Sequence, residues 1–327
     1  MNAATSHTRK TLTTACGIAC TLLVCVAHAQ TYPAKPIRFL VGAPAGGSND
    51  IFARAIGQRL TETLGQPVVV ENRAGASQMI AADLTAKAPP DGYTLYISST
   101  TYTTTAALQP KLPFDPVSDL TGVTMLGRGP MVLVVHPSVP AKTVKELIAV
   151  ARAKPGQLNY TSSGIGGINH LGVEVLRSMA KIDIVHVPHK GMTPAITDLM
   201  AGQVQVLLVS LPSVESQMKS GRLRAIGMSS PKRSSFMPEI PPIAETLPGY
   251  DNDLWWGVFV AGKTPRPIID RLNAEIHKVM ATDEMKKRFA EFGAEQAPTT
   301  PEAFSLLVKN EIAKWTKVIK DANIKAE

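Results

Sequence analysis

The sequence predicts an α/β protein of two lobes, each a mostly parallel sheet flanked by helices, and three observations carry that prediction. Apolar strand-like runs alternate with amphipathic helical runs from Tyr32 to Val260, the pattern of parallel sheets covered on both faces. A glycine-rich turn between a strand and a helix occurs twice, at Gly46-Gly47-Ser48-Asn49-Asp50 and at Gly166-Gly167-Ile168-Asn169-His170. Removing an expected leader of 29 residues leaves 298 of the 327, which is long for one domain.

The leader rests on Arg9 and Lys10, an uncharged and mostly apolar run from Thr11 to Val26, and Ala27-His28-Ala29 at the spacing a signal peptidase needs. Residues 1–29 are therefore expected to be a cleaved signal peptide. No later run is long and apolar enough to span a membrane. All three cysteines, Cys16, Cys20 and Cys25, lie inside the leader. The mature chain then has no disulfide, no thiol nucleophile and no cysteine metal site. Lipidation is not expected, because Val24 is large for the residue before Cys25 and Gly17 is small for its place before Cys20. Without Arg9 and Lys10 there remain 32 basic against 26 acidic residues. That modest basicity suits anionic ligands or membrane surfaces. The cations are scattered and aromatics sparse, which argues against nucleic acid.

Taken in order, Ile37 to Val41 reads as a buried strand and Ile51 to Leu64 as a helix stopped by Gly65. Pro67 to Glu71 is a second strand, and Ala76 to Ala88 a small-residue helix ended by Pro89-Pro90. Tyr93 to Ser98 is a third strand. Ser98 to Thr105 is rich in hydroxyls, either a solvated loop or a hydroxyl-lined pocket wall that would include Thr100. Leu120 to Val135 is rich in β-formers with a break at Gly127-Arg128-Gly129-Pro130. Thr143 and Glu146 form a capping box for a helix to Lys154. Strands are expected at Leu158–Thr161, Ile182–Val187, Val204–Val209 and Leu223–Met228. Helices lie between them at Leu171–Ala180, near Pro194–Ala201 and near Pro212–Ser220. After a strand at Leu254–Val260 the pattern is all helix: Pro265–Ala281, Glu284–Phe292, and a last helix from Pro301 capped by Thr300. Phe304, Leu307, Val308, Ile312, Trp315 and Ile319 share a face of that last helix, so Trp315 reads as core.

Each glycine turn places free backbone N–H groups and the positive end of a helix dipole at one point, an anion site in the making. Ligands in open α/β folds sit at the carboxyl ends of the strands. Two such ends facing across a cleft would clamp one small anion. The stretch from Gly164 to Asn169 imitates a dinucleotide fingerprint, but Asn169 stands where a glycine belongs and Asp183 begins the next strand instead of ending it. Neither loop ends in Gly-Lys-Ser/Thr, which excludes a P-loop. No serine sits in a nucleophile elbow. His186 and His189 need not face together, so no metal site is expected. His170 and Asp50, at matching helix starts, read as capping and loop-shaping groups. No cofactor and no catalytic set are expected.

Several segments together resemble one family. Tyr32-Pro33-Ala34-Lys35-Pro36-Ile37-Arg38, the Pro-x-Gly-Gly-x-x-Asp loop from Pro44 to Asp50, and Val68-Val69-Val70-Glu71-Asn72-Arg73 with Gly75 are three of them. Pro90 to Leu95, Leu112 to Pro116, Val185 to Gly191 and Leu272 to Ile276 are the others. All look like the Bug family, the periplasmic solute receptors of tripartite tricarboxylate transporters, over essentially the whole mature chain. The resemblance implies a type II periplasmic-binding-protein fold, a Venus flytrap, with no catalysis. It implies a small carboxylate held by Gly46, Gly47 and Ser48 from one lobe and Ser162, Ser163, Gly164, Gly166 and Gly167 from the other. Residues 30–131 and 254–327 would form the first lobe and 132–253 the second. Ala43, Asp50, Thr100 and His189 complete the expected substrate-binding set. Many relatives carry Pro-Phe-Pro where this chain has Gly42-Ala43-Pro44, a tyrosine at His189, and acids at Gln205 and Val209. If either acid reads an ammonium group, an amino-acid ligand is disfavoured here. The implied setting is the periplasm, with membrane transporter subunits as partners and a monomeric receptor. The alternatives are a ligand sensor for a membrane signalling partner, or a secreted α/β enzyme.

Overall fold

Four of the five residues of β1 (Ile37–Val41) are buried, as a strand covered on both faces requires. The computed structural model describes residues 32–109, 111–189 and 191–325, so the expected leader lies outside the described residues. From Lys35 onward the chain is one compact unit. After β1 come α1 (Ser48–Leu64), β2 (Val68–Asn72), α2 (Met79–Ala86), β3 (Thr94–Ser99), α3 (Thr101–Leu108) and β4 (Leu120–Gly129). The middle of the chain holds β5 (Met131–Val135), α4 (Val144–Ala153), β6 (Asn159–Ser162), α5 (Ile168–Ala180), β7 (Val185–Pro188), α6 (Met192–Met200), β8 (Val206–Ser210), α7 (Glu215–Lys219) and β9 (Arg224–Met228). It ends with β10 (Leu254–Ala261), α8 (Arg266–Met280), α9 (Asp283–Glu291), β11 (Glu295–Gln296) and α10 (Pro301–Asp321).

The strands form two sheets, ordered β11-β4-β10-β3-β1-β2 and β7-β6-β8-β5-β9. In the first, β1, β2, β3 and β4 point one way, while β10 and β11 run against them. In the second, β6, β7, β8 and β9 share a direction and only β5 opposes it. The break expected at residues 127–130 narrows to Pro130, where β4 of one sheet passes directly into β5 of the other. The chain returns between Met228 and Leu254. These two crossings are the covalent links between the sheets.

Two local expectations change. The helix read from Ala76 begins only at Met79, because Ala76, Ser77 and Gln78 hold left-handed φ of 45°, 48° and 79°. Such a conformation is costly for residues with a Cβ and persists where neighbours enforce it. Here the Tyr96 hydroxyl donates to the Gln78 carbonyl at 3.3 Å, and the Ser98 hydroxyl donates to Gln78 Oε1 at 2.5 Å. The hydroxyl-rich run is neither a loop nor mainly a pocket wall. It is the end of β3 followed from Thr101 by α3, in which Thr103 and Thr104 are fully buried and donate back to the carbonyls of Thr100 and Thr101. Backbone bonding of this kind conceals a helix made of poor helix formers. The short edge strand β11 has no apolar pattern and was not anticipated.

The last helix spans both cores. Phe304 and Val308 pack with Trp255, Phe259 and Tyr96 under the first sheet. Trp315 and Ile319 pack with Tyr160, Leu171 and Leu176 under the second. Between them Glu311 Oε2 accepts from Trp255 Nε1, Trp315 Nε1 and Thr103 Oγ1, each at 3.2 Å. Trp315 is fully buried, so Trp315→Ala should destabilise the protein by about 3–5 kcal/mol. Denaturant unfolding measures this. A loss below about 1 kcal/mol would mean that the C-terminal half of α10 is not part of the second core.

Candidate functional site

Both glycine turns are built on the same plan. In the first, Gly46 takes a left-handed φ of 86°, which a residue with a Cβ would adopt only under strain. Its N–H donates to Asp50 Oδ2, four residues on, at 2.9 Å. Asp50 also receives Arg54 and Asn72, the latter at 3.0 Å, and Asn72 reaches on to the Ala43 carbonyl at 3.0 Å. Burial opposes the Asp50 charge, but the hydrogen bonds from Arg54, Gly46 and Asn72 outweigh it and hold the carboxyl below its ordinary value. Ser48 Oγ accepts the indole N–H of Trp256 at 2.9 Å.

In the second turn Gly166 has a φ of 78°, and its N–H donates to His170 Nδ1, again four residues on, at 3.1 Å. The His170 ring stacks on His186 with centroids 3.9 Å apart, and His186 stacks on Tyr160 at 4.8 Å. Tyr160 in turn bonds Glu174. Burial, with the Arg177 charge adding to it, pushes His170 down to about 4. Burial and then the neighbouring His170 do the same to His186, also to about 4. Both rings are therefore neutral near pH 7, as the acceptor role of His170 requires. The Ser162 hydroxyl donates to the Gly164 carbonyl at 2.9 Å and meets His186 Nε2 at 2.8 Å, which places the proton of that ring on Nε2. Ser163 donates to Asn169 Oδ1 at 3.1 Å, and Asn169 Nδ2 donates to the Leu208 carbonyl at 2.9 Å.

The second turn and the residues just before the first line one pocket of about 330 Å³. Its wall combines Gly42, Ala43 and Pro44 after β1, Ala74 to Gln78 after β2, and Thr101 at the start of α3. Ser163, Gly164, Ile165, Gly167, Ile168 and Asn169 close it from the start of α5. None of the lining residues is Lys, Arg, His, Asp or Glu. What the wall offers an anion is instead the N–H groups and positive dipole ends of converging helix starts. A larger groove of about 490 Å³ lies against the edge strand β9, between Met218, Arg224, Met237 and Glu239. Only the five-residue α7 begins on it, and there the first residue is the acid Glu215, so its size does not make it the better anion site.

Of the residues expected to bind substrate, Ala43, Ser163, Gly164 and Gly167 line the pocket. Gly46, Gly47, Ser48, Asp50, Ser162 and Gly166 lie in the same turns without lining it, several with their polar groups engaged as described above. Thr100 is buried and accepts the backbone N–H of Trp255 at 2.9 Å. His189 meets Thr161 Oγ1 and Asp198 Oδ2, both at 2.7 Å. Gln205 bonds the backbone of Asn159 and Gly202, and Val209 is core. Neither lines the pocket, so the ammonium argument built on those two positions has no geometric support. Sequence reasoning missed Ser77, Gln78, Thr101 and Asn169. A Cβ on Gly42 would lie 2.8 Å from Gln78 Cβ, so the glycine opposite is what admits the left-handed turn to the wall. That pairing joins residues far apart in sequence and leaves no local signal.

Comparison with known proteins agrees with this architecture. The profile of the tripartite tricarboxylate transporter family receptor matches residues 52–324. Protein BugT of Bordetella pertussis is 36% identical over 300 residues, covering 91% of this chain and 92% of BugT. An R. palustris protein solved with adipate is 34% identical with a TM-score of 0.78, covering 90% of this chain and 99% of that one. MatC from Rhodopseudomonas palustris, solved with malate, is 30% identical with a TM-score of 0.73, covering 88% and 100%. The fold is thus the two-lobed fold of periplasmic binding proteins.

The stacked histidines give this site a pH signature. An ordinary histidine titrates near 6.5, whereas folding lowers both His170 and His186 to about 4. The unfolded chain therefore binds more protons between those values, so their contribution is whole above pH 6.5 and lost as pH falls toward 4. Unfolding free energy measured from pH 7 to pH 4.5 should fall, and His186→Gln should fall less steeply. Equal slopes would mean that His186 is not held neutral by the fold.

Proposed function

Because this chain belongs to the tripartite tricarboxylate transporter receptor family, we propose that it is a periplasmic solute-binding receptor that captures a small carboxylate between two lobes and delivers it to membrane transporter subunits. The observation that carries the reading is the pocket itself, an uncharged wall on which several helix starts converge. Each helix start acts as roughly half a positive charge. A carboxylate gains from several at once, whereas a cation is repelled and a neutral sugar gains little. A wall without a lysine or arginine also leaves no strong ion pair to break, which suits a receptor that must release its cargo.

In this reading residues 30–131 and 254–327 form one lobe and 132–253 the other, joined at Pro130 and between Met228 and Leu254. The ligand is first met by one turn and then enclosed by the second, so closure is driven by contacts that only the closed cleft makes. The turns at Gly46–Asp50 and Gly166–His170 hold the pocket wall in place, and Ala43, Ser163, Gly164 and Gly167 touch the ligand. Ala43, where relatives often carry an aromatic ring, leaves room beside the glycines for a longer or branched acid. The residues act by binding and orienting, with no chemical step.

A thermal-shift screen of mono-, di- and tricarboxylates should find one that stabilises by about 2.7 kcal/mol at a hundred times its Kd. Gly167, which lines the pocket, has a φ of −67°, which proline can adopt, so Gly167→Pro removes one N–H without forcing the backbone. Calorimetry on that variant should show affinity at least tenfold weaker with unchanged circular dichroism. Stabilisation by a neutral sugar or a cation, but by no carboxylate, would overturn the assignment.

A further inference from the structure

A second pocket, of about 340 Å³, lies on the other side of the crossings. Strand order fixes this placement. At the ligand-facing end of the first sheet, the pocket described above borders β1, β2 and β3, whereas this one borders β4, β10 and β11 through Arg128, Asp253, Glu295 and Gln296. At the matching end of the second sheet, the first borders β6 and the second borders β9 through Ser230 to Phe236. Pro130, the crossing residue itself, lines it.

Its charges are matched only in part, with Arg128 acting on Asp253 through space but not paired to it. Arg233 is occupied by Glu245 and the Pro238 carbonyl, and Glu295 by the Ser235 hydroxyl. Among the described residues Arg128 and Lys232 have no ion-pair partner, and Arg128 Nε and Gln296 Nε2 are buried donors without an acceptor. Buried donors left unpaired cost about 1–3 kcal/mol each, so they are seldom left so without reason. The acid that remains is Asp253, whose Oδ1 accepts from Ser229 at 3.2 Å. Burial, reinforced by Asp251, pushes its carboxyl up to about 6. It therefore gives up its charge more readily than an ordinary aspartate when an anion enters.

We propose that this pocket is a second ligand site, which holds a small oxyanion between Arg128 and Lys232 at the crossings of the two sheets. The ligand class is a compact carboxylate or an inorganic oxyanion with a single negative charge facing Arg128. Its walls come from both sheets, so occupancy depends on their relative angle. Because the two pockets flank the same crossings, a rotation that narrows one widens the other. An oxyanion here opposes closure on the cleft ligand. This coupling, unlike the site itself, rests on the cleft reading given above.

The test uses the mature full-length protein with sodium acetate and, separately, inorganic phosphate as probes, with chloride holding ionic strength constant. Isothermal calorimetry should give saturable binding of at least one probe, and which one binds distinguishes the organic from the inorganic source. Arg128→Gln and Lys232→Ala should each weaken it at least fivefold. Lys232 is on an exposed loop, so its variant keeps the test valid if Arg128→Gln fails to fold. Gly167→Pro, which disables the cleft, should leave this binding intact. If neither probe binds saturably, or if both hinge variants bind as wild type does, the site is overturned. Binding lost in Gly167→Pro but kept in the hinge variants would assign the anion to the cleft and overturn it equally. Should the cleft carboxylate bind with the same affinity with and without saturating probe, the coupling fails while both sites stand.

Discussion

The structure depends on one repeated hydrogen bond, from the N–H of a left-handed glycine to the side chain four residues later at the start of the following helix. Gly46 to Asp50 and Gly166 to His170 are the two instances. Each fixes how the chain leaves a strand and enters a helix, and so fixes where the first free N–H groups of that helix point. A dipole end is useful only if it is held in place, because a loop that reorients loses the field it was meant to supply. The acceptor differs between the two turns. Asp50 is charged and needs Arg54 and Asn72 to balance it. His170 is neutral and needs burial against His186 to remain so.

This difference bears on the electrostatics of an anion site. Both acceptors sit behind the wall instead of in it, so neither presents a negative charge to the ligand. The Asp50 carboxylate is offset by Arg54 at 2.9 Å, and the second turn avoids a carboxylate altogether. An uncharged wall is thus the result of charges placed one layer back and neutralised there.

Much of this was legible in the sequence, and the reasons are local. Strand–helix alternation, the helix stops at Gly65 and the caps at Thr143 and Thr300 are written in neighbouring residues, and both caps form. The paired glycine turns were legible for the same reason. What was not legible depended on distant partners. Ala76 to Gln78 read as helix by composition, yet Tyr96, Ser98 and the missing Cβ of Gly42 hold them left-handed. The threonines of α3 read as a solvated loop or a pocket wall, yet Glu311 of the last helix reaches Thr103 inside the core. Of the expected binding set, Ala43, Ser163, Gly164 and Gly167 line the pocket, and the sequence could not say which atoms of the others are already spent. Gly46 N–H is a donor on paper and is already used.

The last helix extends the same argument to the whole chain. A helix whose first half packs under one sheet and whose second half packs under the other ties both cores to one rod. Glu311 sits at the changeover and receives both tryptophans. Any rotation about Pro130 must then carry α10 with one sheet and slide it past the other, or bend it near Glu311. The crossings permit a hinge, and α10 limits how far it can swing. The carboxylate that gathers three donors at once is the joint at which that limit is set, because losing it would leave the indole N–H groups of Trp255 and Trp315 without a partner, while Thr103 keeps the Thr100 carbonyl.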